Sequence, residues 1–380
     1  MNLSIEKLAD DWMNTKSIIV YGLGVIALKC IDKLMEDFEI PFIIDNNKAK
    51  SEGNYKGIPI ITQNEAKEKI NGRKIIVPCT IGVYKDISEN LIKDGFKEYE
   101  DFCLFDLFVA QWYLNNKSRI CLTEIHTSIT TRCTLKCKNC NMFMPHYDNH
   151  YEMSFKEFKE EMDLFFSKVD YVFSLGILGG EPFLNKDLYK MIEYLKDNYY
   201  DRIGEITIIS NGTILPSNNL HILKLSKIKI HISDYSKSVD YSERLNKVIK
   251  IFKENDINFR VNSSLVWCDF GFPEKPFNYS DNKIREHMMM CFPIFRGYND
   301  KKFYFCHVAW SAEKCGKFQL NENDYYEMEK VNKSDKKSMY EFLNYNLGGA
   351  LDWRLSLCKV CGGCGSDNKK YVEPALQVKG

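Results

Sequence analysis

The sequence has no excess of charge of either sign: 52 Lys and Arg stand against 52 Asp and Glu over 380 residues. It has no extended basic stripe, and generic nucleic-acid binding needs a net positive face. It also lacks any apolar run near the roughly 20 residues that cross a bilayer. Its first residues, Met1-Asn-Leu-Ser-Ile-Glu-Lys7, do not have the basic-then-apolar order of a secretion signal. No internal repeat or low-complexity tract stands out. These absences predict a cytoplasmic protein with neither a membrane nor a nucleic acid as partner. The length allows two or three domains with real cores.

Cysteine, by contrast, is abundant. Of fourteen, nine fall in two clusters, 133/137/140 and 291/306/315/358/361/364. Clustered cysteines in a cytosolic chain read as metal ligands rather than disulfides. Cys30, Cys79, Cys103, Cys121 and Cys268 are scattered, mostly in apolar runs, and read as small buried hydrophobes.

The first cluster is the run Thr131-Arg-Cys133-Thr-Leu-Lys-Cys137-Lys-Asn-Cys140. It offers three thiolates rather than four. A [4Fe–4S] cube held by three cysteines keeps one iron open to a substrate or cofactor. A zinc site would want a fourth Cys or His close by, and His146 and His150 keep that alternative open at this point.

The downstream pattern separates the two. A helical stretch, 154–168, precedes an apolar strand, 171–177, and Gly179-Gly180-Glu181-Pro182 follows. Later strands end in Ser210-Asn211-Gly212-Thr213 and Ser233-Asp234. Strands near 122–129, 171–177, 205–210, 228–233 and 258–264 alternate with helices near 154–168, 186–198, 217–226 and 241–254, an α/β pattern. Over about residues 120–270 the chain resembles the radical S-adenosylmethionine (SAM) superfamily. It has the three-cysteine loop after the first strand, the Gly-Gly-Glu-Pro turn after the second, and polar residues at later strand ends.

The resemblance implies a partial (β/α)6 TIM-like barrel, a [4Fe–4S] cluster on Cys133, Cys137 and Cys140, and SAM bound to the open iron. It also implies an electron donor such as flavodoxin or ferredoxin. Gly179 and Gly180 would let backbone approach the methionine amino group, with acceptors from the Glu181 region. Ser210, Asn211 and Ser233 would bond the carboxylate and ribose. The residue before the third cysteine, usually aromatic in the family, is Asn139 here. Its backbone is expected at the adenine, with stacking from Phe143. In barrels of this kind the chemistry sits at the C-terminal strand ends, where these residues fall.

The second cluster is similar to the twitch and SPASM extensions of the superfamily. Cys291, Cys306 and the Cys358/Cys361 pair fit one auxiliary [4Fe–4S] cluster; Cys364 is able to replace a member of the pair, and Cys315 is left unligated. A structural zinc site made of four cysteines has the same sequence appearance.

Before these regions, Gly22-x-Gly24-x-x-Ala27 follows the buried strand run 17–21, and Asp45 comes about twenty residues later, as in a dinucleotide fingerprint. Strands at 40–45 and 74–79 complete a small Rossmann-like domain, although a helix-packing turn without ligand would read the same. The expected domains are a Rossmann-like domain over 1–115, a barrel over 116–285 and a small auxiliary-cluster domain over 286–380. Asp269 and Asp234 are the candidate bases for a hydroxyl proton; Trp267, Arg296 and Trp310 are weaker candidates. The expected activity is dehydrogenation or epimerisation of a sugar or sugar nucleotide. A peptide maturase and a non-catalytic iron–sulfur scaffold are the alternatives.

Overall fold

The computed structural model describes residues 5–378 except 48, 51–52, 217–218, 292–294 and 350–354. The chain divides into two compact units: Met1–Thr123 with Val169–Phe173 and Asn332–Ala350, and Glu124–Lys168 with Ser174–Val331 and Leu351–Gly380.

The first unit holds β1 (Ile18–Tyr21), β2 (Ile43–Ile44), β3 (Asn54–Tyr55), β4 (Ile58–Ile61), β5 (Lys74–Val77) and β6 (Phe102–Leu104). They form one sheet in the order β3-β4-β2-β1-β5-β6, parallel except for the β3–β4 pair. β1 and β5 are buried along their whole length, as expected of parallel strands covered on both faces. Two of these strands are shorter than the apolar runs suggest. Pro41 precedes β2 and Pro78 follows β5, and proline has no N–H for the ladder.

Helix α1 (Val25–Asp37) buries Ala27, Cys30, Ile31 and Leu34, one face at helical spacing. α2 (Gln63–Ala66) and α3 (Ile81–Lys93) follow. α4 (Phe105–Lys117) is the element that periodicity does not announce. Ten consecutive residues, 105–114, are buried, so no polar face marks it. Asn115–Lys117 close that helix, and Ser118 ends it in the left-handed conformation.

The second unit is built on β7 (Cys121–Ser128) and β8 (Tyr171–Leu178), the first three residues of each counting with the first unit, and on β9 (Ile203–Ser210), β10 (Ile228–Ser233) and β11 (Phe259–Asn262), followed by β12 (Trp267–Cys268), β13 (Gly297–Asn299), β14 (Lys302–Tyr304), β15 (Tyr326–Glu327) and β16 (Tyr371–Val372). The sheet order is β11-β10-β9-β8-β7-β13-β14-β15, and β12 pairs separately with β16. β10 runs parallel to β9 and β11, and β13 is parallel to β7. Helices α5 (Phe155–Lys168), α6 (Leu188–Tyr199), α7 (Leu220–Leu223) and α8 (Ser242–Glu254) alternate with β7–β11. Part of the helix expected over 217–226 falls on 217–218, outside the described residues. α9 (Asp281–Met290) and α10 (His307–Lys314) also belong to this unit, whereas α11 (Lys336–Asn346) belongs to the first. The fold is mixed α/β with parallel-strand sheets. Among the described residues no helix is long and apolar enough to cross a membrane.

Candidate functional site

The loop after β7 is fastened on both sides before it reaches its cysteines. Ile129 N bonds Leu178 O at 2.9 Å, Gly180 N bonds Thr130 O at 2.8 Å and Glu181 N bonds Arg132 O at 2.8 Å. On the other side Thr131 N bonds Tyr151 O at 2.9 Å, and Thr130 Oγ1 donates to Glu152 Oε2 at 2.7 Å. The β8 side of this zipper requires glycine. A Cβ on Gly179 would stand 2.2 Å from Thr130 O, and one on Gly180 2.2 Å from Arg132 O.

Cys133, Cys137 and Cys140 line a cavity of about 270 Å³ together with Gly179, Gly180, Ser210, Asn211 and Ser233. These are the ends of β8, β9 and β10. The structure therefore gathers all three thiols, both glycines and three of the expected polar residues around one space. Burial pushes the Cys133 thiol up to about 11 and the Cys137 thiol up to about 12, and raises Cys140 as well. Thiols this resistant to losing a proton become ligands only when a metal draws the charge.

Glu181 is fully buried behind this wall. Its carboxylate accepts from Ser210 Oγ at 2.9 Å, Asn211 N at 2.8 Å and Phe183 N at 3.2 Å. Burial nevertheless lifts its carboxyl to about 7, against those three hydrogen bonds. Glu181 thus ties the end of β9 to the turn after β8. Asn211 extends the tie: its Nδ2 donates to Thr134 Oγ1 at 3.1 Å and reaches Cys133 Sγ at 3.5 Å.

Besides Glu181, six expected residues lie away from the cavity wall: Asn139, Asp269, Asp234, Phe143, Arg296 and Trp310. Asn139 Nδ2 donates to Asp269 Oδ1 at 3.0 Å, and both line a separate small polar depression with His146. Asp234 caps a turn, accepting from Ser236 N at 2.9 Å and Ser263 Oγ at 2.8 Å. Burial pushes its carboxyl up, but these bonds outweigh that push and hold it below the usual range. Phe143 is buried edge-on against Phe272, centroids 5.0 Å apart. The aromatic rings that do line the cavity are Tyr235, Trp267 and Phe295. Tyr235 and Trp267 meet edge to face at 5.6 Å. Tyr235, two residues after Ser233, belongs to no motif that the sequence offered, and burial raises its phenol well above the usual value. Arg296 is buried with its guanidinium over the Phe305 ring at 4.1 Å, and Trp310 donates to Asp300 Oδ2 at 2.9 Å. His150 Nδ1 lies 3.5 Å from Thr131 Oγ1.

A second cavity, about 100 Å³, is ringed by Cys291, Cys306, Cys358, Cys361 and Cys364. Cys315 is not on it; its thiol donates to Ala312 O at 3.2 Å. Among the described residues no three His, Cys, Asp or Glu side chains close on a single-ion site, so these thiols surround a space rather than a point. Gly363 is required here, because a Cβ on it would stand 2.4 Å from Cys291 Sγ. Burial pushes Cys306 up to about 11 and Cys361 up to about 12. Asn141 and Phe295 line both cavities.

In the first unit, Asp45 Oδ2 accepts from Leu23 N at 3.0 Å and from Lys50 Nζ at 3.1 Å. The acid that follows the glycine turn is thus spent holding the turn itself.

Residues 127–262 match the model of the Radical SAM superfamily. The chain is 27% identical over 92 residues to an S-adenosylmethionine-dependent nucleotide dehydratase of Selenomonas ruminantium, covering 24% of this chain and 31% of that protein. It is 28% identical over 136 residues to a GTP 3',8-cyclase of Staphylococcus epidermidis, covering 34% of this chain and 39% of that one. The match thus spans about a third of the length of these relatives. The structure of Streptococcus suis SuiB bound to precursor peptide SuiA aligns with a TM-score of 0.31 at 20% identity, over 41% of this chain and 36% of that one. Residues 127–262 therefore form a radical SAM domain.

Proposed function

We propose that this chain is a radical SAM oxidoreductase that dehydrogenates or epimerises a sugar or sugar-nucleotide substrate. The observation that carries the reading is one cavity. Three thiols that share no strand or helix with Gly179-Gly180, Ser210 or Ser233 line it together with them. Cys133, Cys137 and Cys140 would hold the [4Fe–4S] cluster. Gly179 and Gly180 expose backbone toward the SAM methionine group, and Ser210, Asn211 and Ser233 face its polar edges. Tyr235 and Trp267 take the aromatic role expected of Phe143. When bound, cluster and SAM together supply a 5′-deoxyadenosyl radical able to abstract hydrogen from unactivated C–H bonds.

Among the described residues, those lining this cavity include no Lys, Arg, Asp or Glu, so the charged groups of SAM would be met there by the cluster, backbone and neutral side chains. The nucleotide named for the dehydratase relative and the GTP named for the cyclase support a nucleotide-type substrate. Cys291, Cys306, Cys358 and Cys361, with Cys364 able to replace one of the last two, would hold one auxiliary [4Fe–4S] cluster to accept the substrate electron. Further parts of the proposal are an open six-unit barrel over 116–285, a Rossmann-like module over 1–115, an auxiliary domain over 286–380 and cytoplasmic location. A small iron–sulfur or flavin protein would be the donor. With Asp45 bound to Leu23 N, the Gly22–Ala27 turn acts as a packing turn.

The test is 5′-deoxyadenosine release by anaerobically reconstituted, reduced protein given SAM and a panel of sugar nucleotides. A sugar-dependent rise that Cys137→Ala abolishes is expected. Background cleavage that no sugar raises would redirect the substrate to peptides. Ser233→Ala, at the cavity wall, separates enzyme from scaffold: an enzyme loses SAM affinity, whereas a scaffold keeps its clusters and its function.

A further inference from the structure

The three-cysteine loop is covered by a segment more than 230 residues away in sequence. β16 pairs antiparallel with β12, Trp267 opposite Val372 and Cys268 opposite Tyr371. From there the chain runs along the loop. Ala375 is fully buried in a cluster with Leu135 and Cys137, against which Tyr235 and Trp267 pack. Lys138 N donates to Leu376 O at 2.7 Å, and Val378 N donates to Lys136 O at 2.8 Å. Cys137 and Gln377 face each other in an antiparallel bridge.

Gln377 is the residue of this strap that reaches a sulfur. Its Oε1 accepts from Lys136 N at 2.7 Å. That contact fixes which end of the amide is which, since a backbone N–H accepts nothing. The Nε2 end therefore carries two hydrogens for two acceptors: Ala375 O at 2.6 Å and Cys137 Sγ at 3.6 Å. Cys133 Sγ receives its own donors, Leu135 N of the loop at 3.5 Å and Asn211 Nδ2 beyond the end of β9 at 3.5 Å. The donor to Cys137 comes from outside the motif.

We propose that Gln377 is a positioning residue for the cluster held by Cys133, Cys137 and Cys140: its amide donates to the Cys137 thiolate and raises the reduction potential of that cluster. The inference rests on the radical SAM reading of these three cysteines. Its physical basis is that reduction adds negative charge to cluster and thiolates. An N–H aimed at a ligating sulfur therefore stabilises the reduced form more than the oxidised one. A cluster with a raised potential is filled more readily by its electron donor and gives that electron up less readily, and the buried Ala375 beneath the strap keeps water from replacing the hydrogen-bond donor.

The test compares wild type, Gln377→Leu and Gln377→Glu by EPR-monitored redox titration, with iron content measured in parallel. The signal followed is the one that changes when SAM is added, which assigns it to the three-cysteine cluster and not to an auxiliary one. Gln377→Glu keeps an oxygen for Lys136 N but removes the donor to both Ala375 O and Cys137 Sγ, so the strap is then held by its backbone bonds, Lys138 N to Leu376 O and Val378 N to Lys136 O. Both variants are expected to hold wild-type iron and to develop the SAM-responsive signal at lower potential, Gln377→Glu lowest because it adds a negative charge. Unchanged potentials would overturn the proposal. So would loss of iron with the remaining cluster at wild-type potential, which describes a strap that only closes the loop. If the wild type itself lacks a SAM-responsive cluster signal, the reading of Cys133, Cys137 and Cys140 fails, and the inference fails with it.

Discussion

Single residues here do work that their type alone does not reveal. Glu181 could be foreseen at the cavity from the Gly-Gly-Glu-Pro turn, yet its carboxylate faces inward to Ser210, Asn211 and Phe183. Glu161 had no motif to mark it. It sits on α5 with its Oε1 accepting from Asp300 N at 2.9 Å, while Oε2 is buried without a hydrogen-bond partner. Burial first, and the nearby Asp300 charge second, push its carboxyl up to about 8. Because that value lies above the unfolded one, the folded chain keeps a proton that the unfolded chain releases. Stability from this group is therefore full at low pH and falls as pH rises from the ordinary carboxyl range toward about 8. Glutamine cannot ionise, so Glu161→Gln should flatten that fall, by about 1.4 kcal/mol per pH unit at most. Thermal melts of both proteins at several pH values between roughly 6 and 9 check it; parallel curves would reject the assignment.

At the scale of elements, strands and amphipathic helices were legible because burial imposes a period on them. β10, Ile228–Ser233, alternates buried and half-buried residues and matches its expected bounds. α4 was not legible, since a helix buried on every side has no period to read. The turn after β8 shows a third case. Its glycines were read as giving room to a ligand, and they also give room to the backbone of the cysteine loop. Gly180→Ala places a Cβ 2.2 Å from Arg132 O. It is expected to cost about 1–3 kcal/mol, as overpacking does, and to reduce the iron retained after reconstitution. Wild-type melting and iron content in this variant would show that the zipper between β8 and the loop tolerates displacement.

For the whole molecule, the proposed cofactor complement sets a countable outcome. Two four-iron clusters give about eight irons per chain, and Cys306→Ala with Cys358→Ala should leave about four. Cys315→Ala, whose thiol bonds Ala312 O away from the second cavity, should leave the count unchanged. Equal iron in wild type and the double variant would remove the auxiliary cluster from the proposal. The sequence by itself determined the strand–helix alternation, the grouping of the cysteines and the strand ends that line the first cavity. Those follow from local periodicity and ligand spacing, which a linear chain records directly. Only the tertiary structure decided that Asp269 and Asp234 are held in turns, that Tyr235 and Trp267 line the cavity, and that Gln377 lies on Cys137. Such contacts join residues as much as 240 positions apart, and no local preference encodes a distance that arises only when strands and loops pack.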